Sequence, residues 1–370
     1  MHENRSLVSP TSHPQLETAL LDKLRRRTVT GGSLGQLEPL ALRLGLLQRT
    51  LKPQFHEPQM LVFASDHGLA VDGLSGPDSR QTHEVVQDLL AGRLPLSVFA
   101  RIQQIELAVI DCGIAANLPA HDRLLMRKIA HGTRNARAAG AMSIEQAHAA
   151  MRAGMELGNK LRGNMSIFAG LGLGSHESAA LVLAGLADCS LRDLLRAGPD
   201  MPREELARVL KLLQAAQARH RQAVEPVEVL AAFGGFEVAV MVGVMLMAAS
   251  RRHLLVIDGI AACAALMVAS RIAPPVTDYC VFCRSHPHQG LDHAMALFRA
   301  SALLELGMQS QDGTGAALAW PMIRCAAALL TEVADGEDAG PSLPGSLVEI
   351  DLEVEDDFDP HHGFGKQALY

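Results

Sequence analysis

The N-terminal part of the chain carries apolar residues at helical spacing. Leu16, Leu20 and Leu24 recur every four residues, and leucines recur in a similar way between residues 37 and 47. This periodicity predicts two helices, which we assign to an N-terminal helical unit over residues 15–58. Residues 1–14 are polar and contain two prolines, so we expect this segment to be mobile.

From residue 59 onwards, the pattern changes to short apolar runs that alternate with helical stretches. The runs end in small or acidic residues, as in MLVFASDHG, ELAVIDCG, SIFAGLGLGS, HLLVIDG and YCVFCRSH. Uninterrupted apolar strands that alternate with helices are typical of a parallel sheet covered by helices on both faces. We therefore predict an α/β fold with a doubly wound parallel sheet over residues 59–334.

The last segment, residues 335–370, is acidic and rich in glycine and proline. This composition indicates a solvated tail appended to the fold. We expect the tail to be dispensable for folding.

The composition excludes several classes of function. The chain has 370 residues, of which 48% are hydrophobic, so it can bury a sizeable core. A net charge of -7 disfavours non-specific binding to nucleic acid, and an aromatic content of 4% disfavours base stacking. The longest uncharged apolar run, around residues 238–250, is too short to span a bilayer. We therefore expect neither nucleic acid nor a membrane as a partner.

The cysteines suggest neither a metal site nor disulfides. Six cysteines are scattered along the chain, and only Cys280 and Cys283 form a CxxC pair. No second CxxC completes a zinc site, so we interpret this pair as buried free thiols on a strand. Free thiols fit a reducing compartment, and the N-terminus has no apolar signal-peptide region, so we expect a cytoplasmic protein.

Polar residues at the ends of the predicted strands are the candidates for a functional site. Ligands bind at the carboxyl ends of parallel strands because loops and helix N-termini converge there. The candidates are Asp66, His67, Asp111, the glycines from Gly170 to Gly174, Asp258, Ser285 and His286. For each of them, a cap or loop hydrogen bond is the alternative role.

The first glycine-rich loop contains Gly170, Gly172, Gly174 and Ser175, and it lies between a predicted strand and a predicted helix. Glycines let the backbone approach a phosphate, and a helix N-terminus attracts its charge. The loop lacks the lysine and threonine of a P-loop. The alternative interpretation as an NAD-binding dehydrogenase depends on this loop alone. Glu177 in the first helical turn would repel a phosphate.

The second glycine-rich loop, QDGTGAALAWP, also opens a predicted helix. Asp312 is either the N-cap of this helix or a carboxylate that lies beside a ligand and accepts a proton. Gly313, Thr314 and Gly315 follow it directly.

Several segments together resemble one enzyme family. They are TGGSLGQLE, VFASDHGLAVDGLS, HGTRNARAAGAMSIEQA, FGGFEVAVMVGVMLMAASRRHLLVIDGIAACAAL, SHPHQG and DGTGAALAWPM. Their order and spacing, from about residue 15 to residue 335, resemble the nicotinate-nucleotide–dimethylbenzimidazole phosphoribosyltransferases.

The resemblance implies a reaction, a site and an assembly. The family transfers phosphoribose from nicotinate mononucleotide to 5,6-dimethylbenzimidazole, without a metal or other cofactor, and makes α-ribazole phosphate for the lower ligand of cobalamin. The resemblance also implies a homodimer, and a small helical domain built from the N-terminal helices and the last helix before the tail. The family's general base is a glutamate that corresponds to Asp312. We expect the substrates to contact Asp66, His67, Ser75, Gly170, Gly172, Gly174, Ser175, Asp258, Ser285, His286, Gly313, Thr314 and Gly315.

The chain departs from the family pattern around both substrates. The general base is shortened to Asp312, and a family glutamate in the first glycine-rich loop is replaced by Gly170. The Asn-Thr-Thr that ends this loop in the family corresponds to Ser175, His176 and Glu177.

Further departures affect the expected phosphate site. A second family glycine loop corresponds to Arg196–Asp200, and the loop at Ser75 lacks the family's glutamine. An expected lysine falls at Val209, with Arg208 and Lys211 as possible substitutes. The alternative to an active transferase is therefore a catalytically weak paralogue that acts as a ligand sensor or as the partner subunit of an active homologue.

Overall fold

A sheet of parallel strands forms the centre of the protein. The computed structural model describes residues 7–74, 79–195 and 202–333, without the side chains of residues 28–31. The six strands in this part of the chain are β1 (Gln59–Ser65), β2 (Glu106–Gly113), β3 (Leu124–Met126), β4 (Met165–Leu171), β5 (Leu254–Asp258) and β6 (Cys280–Cys283). They pair in parallel in the order β3-β2-β1-β4-β5-β6. The predicted doubly wound parallel sheet is confirmed.

Helices cover the sheet and connect its strands. They are α1 (Pro14–Gly31), α2 (Leu37–Gln48), α3 (Thr82–Leu90), α4 (Pro95–Ile102), α5 (Ile144–Asn159), α6 (Ser175–Leu186), α7 (Leu191–Leu194), α8 (Arg203–Arg219), α9 (Pro226–Phe233), α10 (Phe236–Ser250), α11 (Ile260–Ile272), α12 (Gln289–Ala296) and α13 (Thr314–Thr331). In the described part of the chain, 3-10 turns lie at Gly68–Asp72 and Pro274–Tyr279.

The strand order positions the functional site. The chain adds β2 and β3 on one side of β1, and then β4, β5 and β6 on the other side. Ligands bind in the crevice that such a reversal opens at the carboxyl ends of the strands. Phe63 in β1 pairs with Gly170 in β4, and Asp258 in β5 pairs with both Ala169 in β4 and Cys283 in β6. The residues that follow β1, β4, β5 and β6 therefore share one edge of the sheet.

The N-terminal helices pack against each other and against α13. This packing agrees with a small helical unit made from both ends of the chain, although the domain boundaries at residues 15, 59 and 335 stay a prediction. Val8 is buried, Tyr279 donates a hydrogen bond to the Ser9 carbonyl, and the Thr11 amide donates one to Asp278. The expectation of a mobile segment over residues 1–14 is therefore wrong for residues 8–11. Residues 1–6 and the tail 335–370 lie outside the described residues.

Helix α13 is the one described helix that is long and apolar enough to cross a membrane, but 61% of it is buried inside the protein. It therefore belongs to the core. The apolar run around residues 238–250 forms most of α10, which is likewise buried. Cys280 and Cys283 are buried free thiols on β6, as predicted.

Close contact between α5 and α10 depends on Gly154. A Cβ atom at this position would lie 2.1 Å from the Val240 carbonyl oxygen, so alanine would force the two helices apart. We expect Gly154→Ala to lower the free energy of unfolding by about 1–3 kcal/mol, as overpacking typically does. Arg152→Ala, at an exposed position of the same helix, should change it by less than about 0.5 kcal/mol. Urea denaturation of both variants checks this, and equal stabilities would contradict the close packing.

Candidate functional site

A cavity of about 220 Å³ lies at the carboxyl ends of β4, β5 and β6. Its lining residues are Gly170, Leu171, Gly172, Ser175, His176, Ile260, Ala261, His286, Ser310, Gln311 and Asp312. One wall is apolar and the other carries a carboxylate and two imidazoles. Pockets for drug-sized ligands measure about 300–1,000 Å³, so this cavity suits a single ring system better than two substrates together.

A larger cavity of about 590 Å³ lies between α2 and β6. Among its lining residues in the described part of the chain there is no carboxylate and no histidine. It therefore offers no proton acceptor, and the smaller cavity is the better candidate for a reaction site.

Asp312 and His286 form a hydrogen-bonded pair at the smaller cavity. Nε2 of His286 lies 3.0 Å from Oδ1 of Asp312. Burial by itself would lower the pKa of His286, but the hydrogen bond and the negative charge of Asp312 outweigh it and raise that pKa above its usual value. Asp312 precedes α13 by two residues and its side chain does not cap the helix, so the N-cap interpretation is not supported.

The backbone at Gly259 accommodates the Asp312 carboxylate. Gly259 has a φ of +97° and directly precedes α11. A Cβ atom there would lie 1.8 Å from Oδ2 of Asp312. Glycine is therefore needed both for the backbone conformation and for the space that the carboxylate fills.

Asp258 and Ser285 hold the first turn of α13. The Ser285 hydroxyl donates to Oδ2 of Asp258 at 2.8 Å and accepts from the Gly315 amide at 2.9 Å. Oδ2 of Asp258 also accepts from the Ala316 amide at 3.0 Å. Burial and then the nearby charge of Asp312 raise the pKa of Asp258. These contacts position the loop that carries Asp312.

His67 and Ser175 share a buried carboxylate, Glu237. Nε2 of His67 lies 2.8 Å from Oε1 of Glu237, and the Ser175 hydroxyl donates to the same oxygen at 3.0 Å. Burial would lower the pKa of His67, but Glu237 more than offsets this effect, so the net shift is upward. This network joins the ends of β1 and β4 to the start of α10.

The first glycine-rich loop passes close to the end of β1. A Cβ atom at Gly172 would lie 1.8 Å from the Ser65 carbonyl oxygen, and Gly174 has a φ of +81°. Gly170 is the penultimate residue of β4, where a Cβ atom would lie 2.5 Å from that of Ala261. The glycines therefore fit tight packing at the cavity wall.

Asp66 and Asp111 both make contacts within the protein. Asp66 accepts hydrogen bonds from the Thr82 hydroxyl and, at 2.8 Å, from the Ala115 amide. Asp111 accepts from the Ile114 amide at 2.9 Å and pairs with Lys128 at 3.2 Å. Neither residue lines the cavity beside Asp312.

Three histidines meet at one end of the cavity. The rings of His176 and His288 have centroids 4.1 Å apart, and those of His286 and His288 lie 5.7 Å apart. Burial lowers the pKa of His288 to about 2, so this imidazole is neutral. Among the residues that the structure describes, no group of histidine, cysteine, aspartate or glutamate side chains has the arrangement of a metal site.

The residues at the expected phosphate positions differ in burial. Val209 is buried in α8, whereas Arg208 and Lys211 are exposed, and Arg208 donates to the Gly73 carbonyl at 2.8 Å. Glu177 lies in the first turn of α6, as predicted. Ser75 and the segment Arg196–Asp200 lie outside the described residues.

Comparison with known proteins identifies the family. A family model described as a phosphoribosyltransferase matches residues 10–340. The nicotinate-nucleotide–dimethylbenzimidazole phosphoribosyltransferases of Cupriavidus taiwanensis and Cupriavidus necator are each 42% identical over 332 residues, which cover 89% of this chain and 95% of each relative. The chain belongs to the nicotinate-nucleotide–dimethylbenzimidazole phosphoribosyltransferase family.

A solved structure of this family has the same fold. The nicotinate-nucleotide–dimethylbenzimidazole phosphoribosyltransferase of Thermus thermophilus is 30% identical in sequence and has a TM-score of 0.81. The match covers 90% of this chain and 100% of that one. The resemblance inferred from the sequence motifs is confirmed.

Some of the expected substrate-binding residues line the cavity, and others do not. Gly170, Gly172, Ser175, His286 and Asp312 line the cavity. The other described candidates are Asp66, His67, Gly174, Asp258, Ser285, Gly313, Thr314 and Gly315, which do not line it. The role of each in substrate binding stays a prediction.

Sequence reasoning assigned no role to Glu237 or His288. Glu237 is a lone carboxylate at the start of an otherwise apolar helix, and it is fully buried. A charge at such a position signals a buried partner, because an unpaired carboxylate would be too costly to bury. For His288, no comparable signal exists in the sequence.

Proposed function

We propose that this chain transfers the phosphoribosyl group of nicotinate mononucleotide, or of a related donor, to a benzimidazole-type base. The product would be α-ribazole phosphate for the lower ligand of cobalamin. The observation that carries the proposal is the Asp312–His286 pair at a ring-sized cavity, in a chain that shares its family and fold with enzymes named for this reaction.

The proposed reaction needs a proton acceptor beside the base. One ring nitrogen of the acceptor attacks C1′ of the donor ribose, the bond from C1′ to nicotinate breaks, and its electron pair stays on the nicotinate ring nitrogen. The other ring nitrogen of the acceptor then loses its proton. We assign this general-base function to the carboxylate of Asp312 together with the imidazole that it holds. Asp312 lines the cavity and matches the family's carboxylate position.

The apolar wall of the cavity supports an aromatic acceptor. Ile260 and Ala261, both buried, face the same cavity as the polar side chains of Ser175, His176 and Gln311. A flat heteroaromatic ring can bury its faces against the apolar wall while its nitrogens meet the polar one. Turnover of nicotinate mononucleotide with a panel of benzimidazoles and phenols tests the proposal and identifies the preferred base.

We expect the chain to bind nicotinate mononucleotide weakly. Val209 is buried where the family has a lysine, and Glu177 lies in the helical turn that follows the first glycine-rich loop. One lost charge-assisted contact, worth about 1.5–3 kcal/mol, weakens binding about 10- to 100-fold. Calorimetric titration checks this.

The expected weak binding of nicotinate mononucleotide depends on whether an exposed cation near the site, Arg208 or Lys211, contacts the phosphate. Arg208 already contacts the loop after β1 and could replace the missing lysine. Low-micromolar affinity for nicotinate mononucleotide would contradict the prediction, and its loss in Arg208→Ala but not in Lys211→Ala would identify Arg208 as the substitute.

The second candidate function is a catalytically weak paralogue that senses a ligand or serves as the partner subunit of an active homologue. It is favoured by the replacement of a family glutamate with Gly170 and by the acidic Glu177 near the loop. Binding of a base without any turnover by the purified chain would support this candidate.

We further propose that the protein is cytoplasmic and forms a homodimer. Sedimentation velocity of the purified protein tests the homodimer.

A further inference from the structure

The Asp312 carboxylate is enclosed on both of its oxygens. Oδ1 of Asp312 lies 3.0 Å from Nε2 of His286. Oδ2 packs against the backbone of Gly259 so closely that a Cβ atom added to Gly259 would lie 1.8 Å from this oxygen. The side chain of Asp312 is 13% exposed, whereas that of His286 is 29% exposed. The imidazole is therefore the more accessible member of the pair.

The geometry of the pair matches a carboxylate that orients an imidazole. When Nε2–H of a neutral His286 donates to Asp312, the second ring nitrogen, Nδ1, carries a free electron pair. In hydrolases, a carboxylate in the same relation to a histidine fixes the tautomer and stabilises the imidazolium, and the histidine takes the proton. The aspartate in this chain has a side chain one methylene shorter than the family's glutamate, and the imidazole extends the reach of the pair.

We propose that the Asp312–His286 pair is the base of the reaction and that Nδ1 of His286 receives the proton of the acceptor. This inference rests on the proposed function and assigns the atom that carries out its proton transfer. As the acceptor nitrogen bonds to C1′ and nicotinate leaves with the electron pair of the broken bond, the N–H proton of the acceptor moves to Nδ1. The imidazolium that forms is held by the negative charge of Asp312 and later returns the proton to water.

Charged and titratable groups surround His286 on several elements. Asp312 precedes α13, Asp258 ends β5, Arg284 and His288 lie on the same segment as His286, and His176 starts α6. Burial lowers the pKa of His286 and Arg284 lowers it further, but the two carboxylates together outweigh both, so the net shift is upward. A base must be unprotonated, so kcat/KM should rise with pH through a value above the usual 6.5 for histidine.

The test compares His286→Ala, His286→Gln and a control in the full-length protein. His293→Gln changes an exposed histidine on α12 and should leave kcat unchanged. With nicotinate mononucleotide and 5,6-dimethylbenzimidazole, we expect His286→Ala to lose about 100- to 10,000-fold in kcat, the usual contribution of a general base. Added imidazole should recover part of the lost activity. The rise of kcat/KM with pH near neutrality, which we assign to His286, should disappear in this variant.

Binding measurements keep the test independent of turnover. Loss of one hydrogen bond to the acceptor should weaken the affinity of His286→Gln for 5,6-dimethylbenzimidazole about 3- to 10-fold relative to the wild type. If the wild type does not turn over, the proposed function fails, and this affinity difference still decides whether His286 contacts the base. An unchanged affinity, or a kcat within about threefold of wild type with the same pH profile, overturns the assignment.

Discussion

Replacing Asp312 with asparagine should abolish turnover while the protein remains folded. The change keeps the shape of the side chain but removes the negative charge that makes the Asp312–His286 pair a proton acceptor. We expect kcat to fall about 100- to 10,000-fold, the range that a positioned general base contributes. Steady-state kinetics with saturating substrates measures the loss. The melting temperature should change little, because asparagine has the same shape and its side-chain oxygen can still accept the hydrogen bond from His286.

A matched exposed aspartate provides the control for this variant. Asp122→Asn removes a carboxylate outside the cavity and should keep wild-type kcat. Full activity of Asp312→Asn would show that neither this carboxylate nor a base held by it takes part in the reaction.

Replacing Glu237 with alanine should have the largest effect on stability. The carboxylate is fully buried and accepts hydrogen bonds from His67 and Ser175, so its removal leaves both donors without their acceptor. Breaking a buried pair in this way costs about 3–5 kcal/mol. Denaturant titration measures the change in the free energy of unfolding. Glu156→Ala, which removes an exposed carboxylate on α5, should cost less than about 0.5 kcal/mol.

The stability that Glu237 contributes should depend on pH. Glu237 raises the pKa of His67 against the effect of burial, so the pair contributes fully below the usual histidine pKa of 6.5. This contribution is lost as the pH rises through the raised pKa of His67. The stability difference between wild type and Glu237→Ala should therefore be larger at pH 6 than at pH 9. A stability difference that stays the same between pH 6 and pH 9 would mean that His67 is neutral in the folded protein throughout this range, and it would contradict the prediction.

The main strands were predictable from the sequence because each is an uninterrupted apolar run. Both faces of a central parallel strand are covered by helices. The sequences of β1 and β5 are therefore mainly continuous apolar runs, without the alternating polar residues of a half-exposed strand. The edge strand β3 was not predicted. It has three residues, and so short a run carries no periodicity of its own.

The location of the site was predictable, but the direction of each side chain was not. Parallel strands end at one edge of the sheet, so Asp66 and Asp258 were reasonable candidates. Asp312 was a candidate because it lies in a glycine-rich loop that precedes a helix. Whether such a carboxylate faces the cavity or the protein depends on backbone amides that come from distant segments. Asp258 accepts from Ala316 and Asp66 accepts from Ala115, and neither partner can be read from local sequence.

The central claim is that an aromatic base binds in the cavity beside Asp312 and His286. A crystal structure of the full-length protein with 5,6-dimethylbenzimidazole tests it most directly. We predict that the ring lies against Ile260 and Ala261, with one nitrogen within about 3.2 Å of His286 or Asp312. A base bound instead in the cavity between α2 and β6, with the site beside Asp312 empty, would contradict the account.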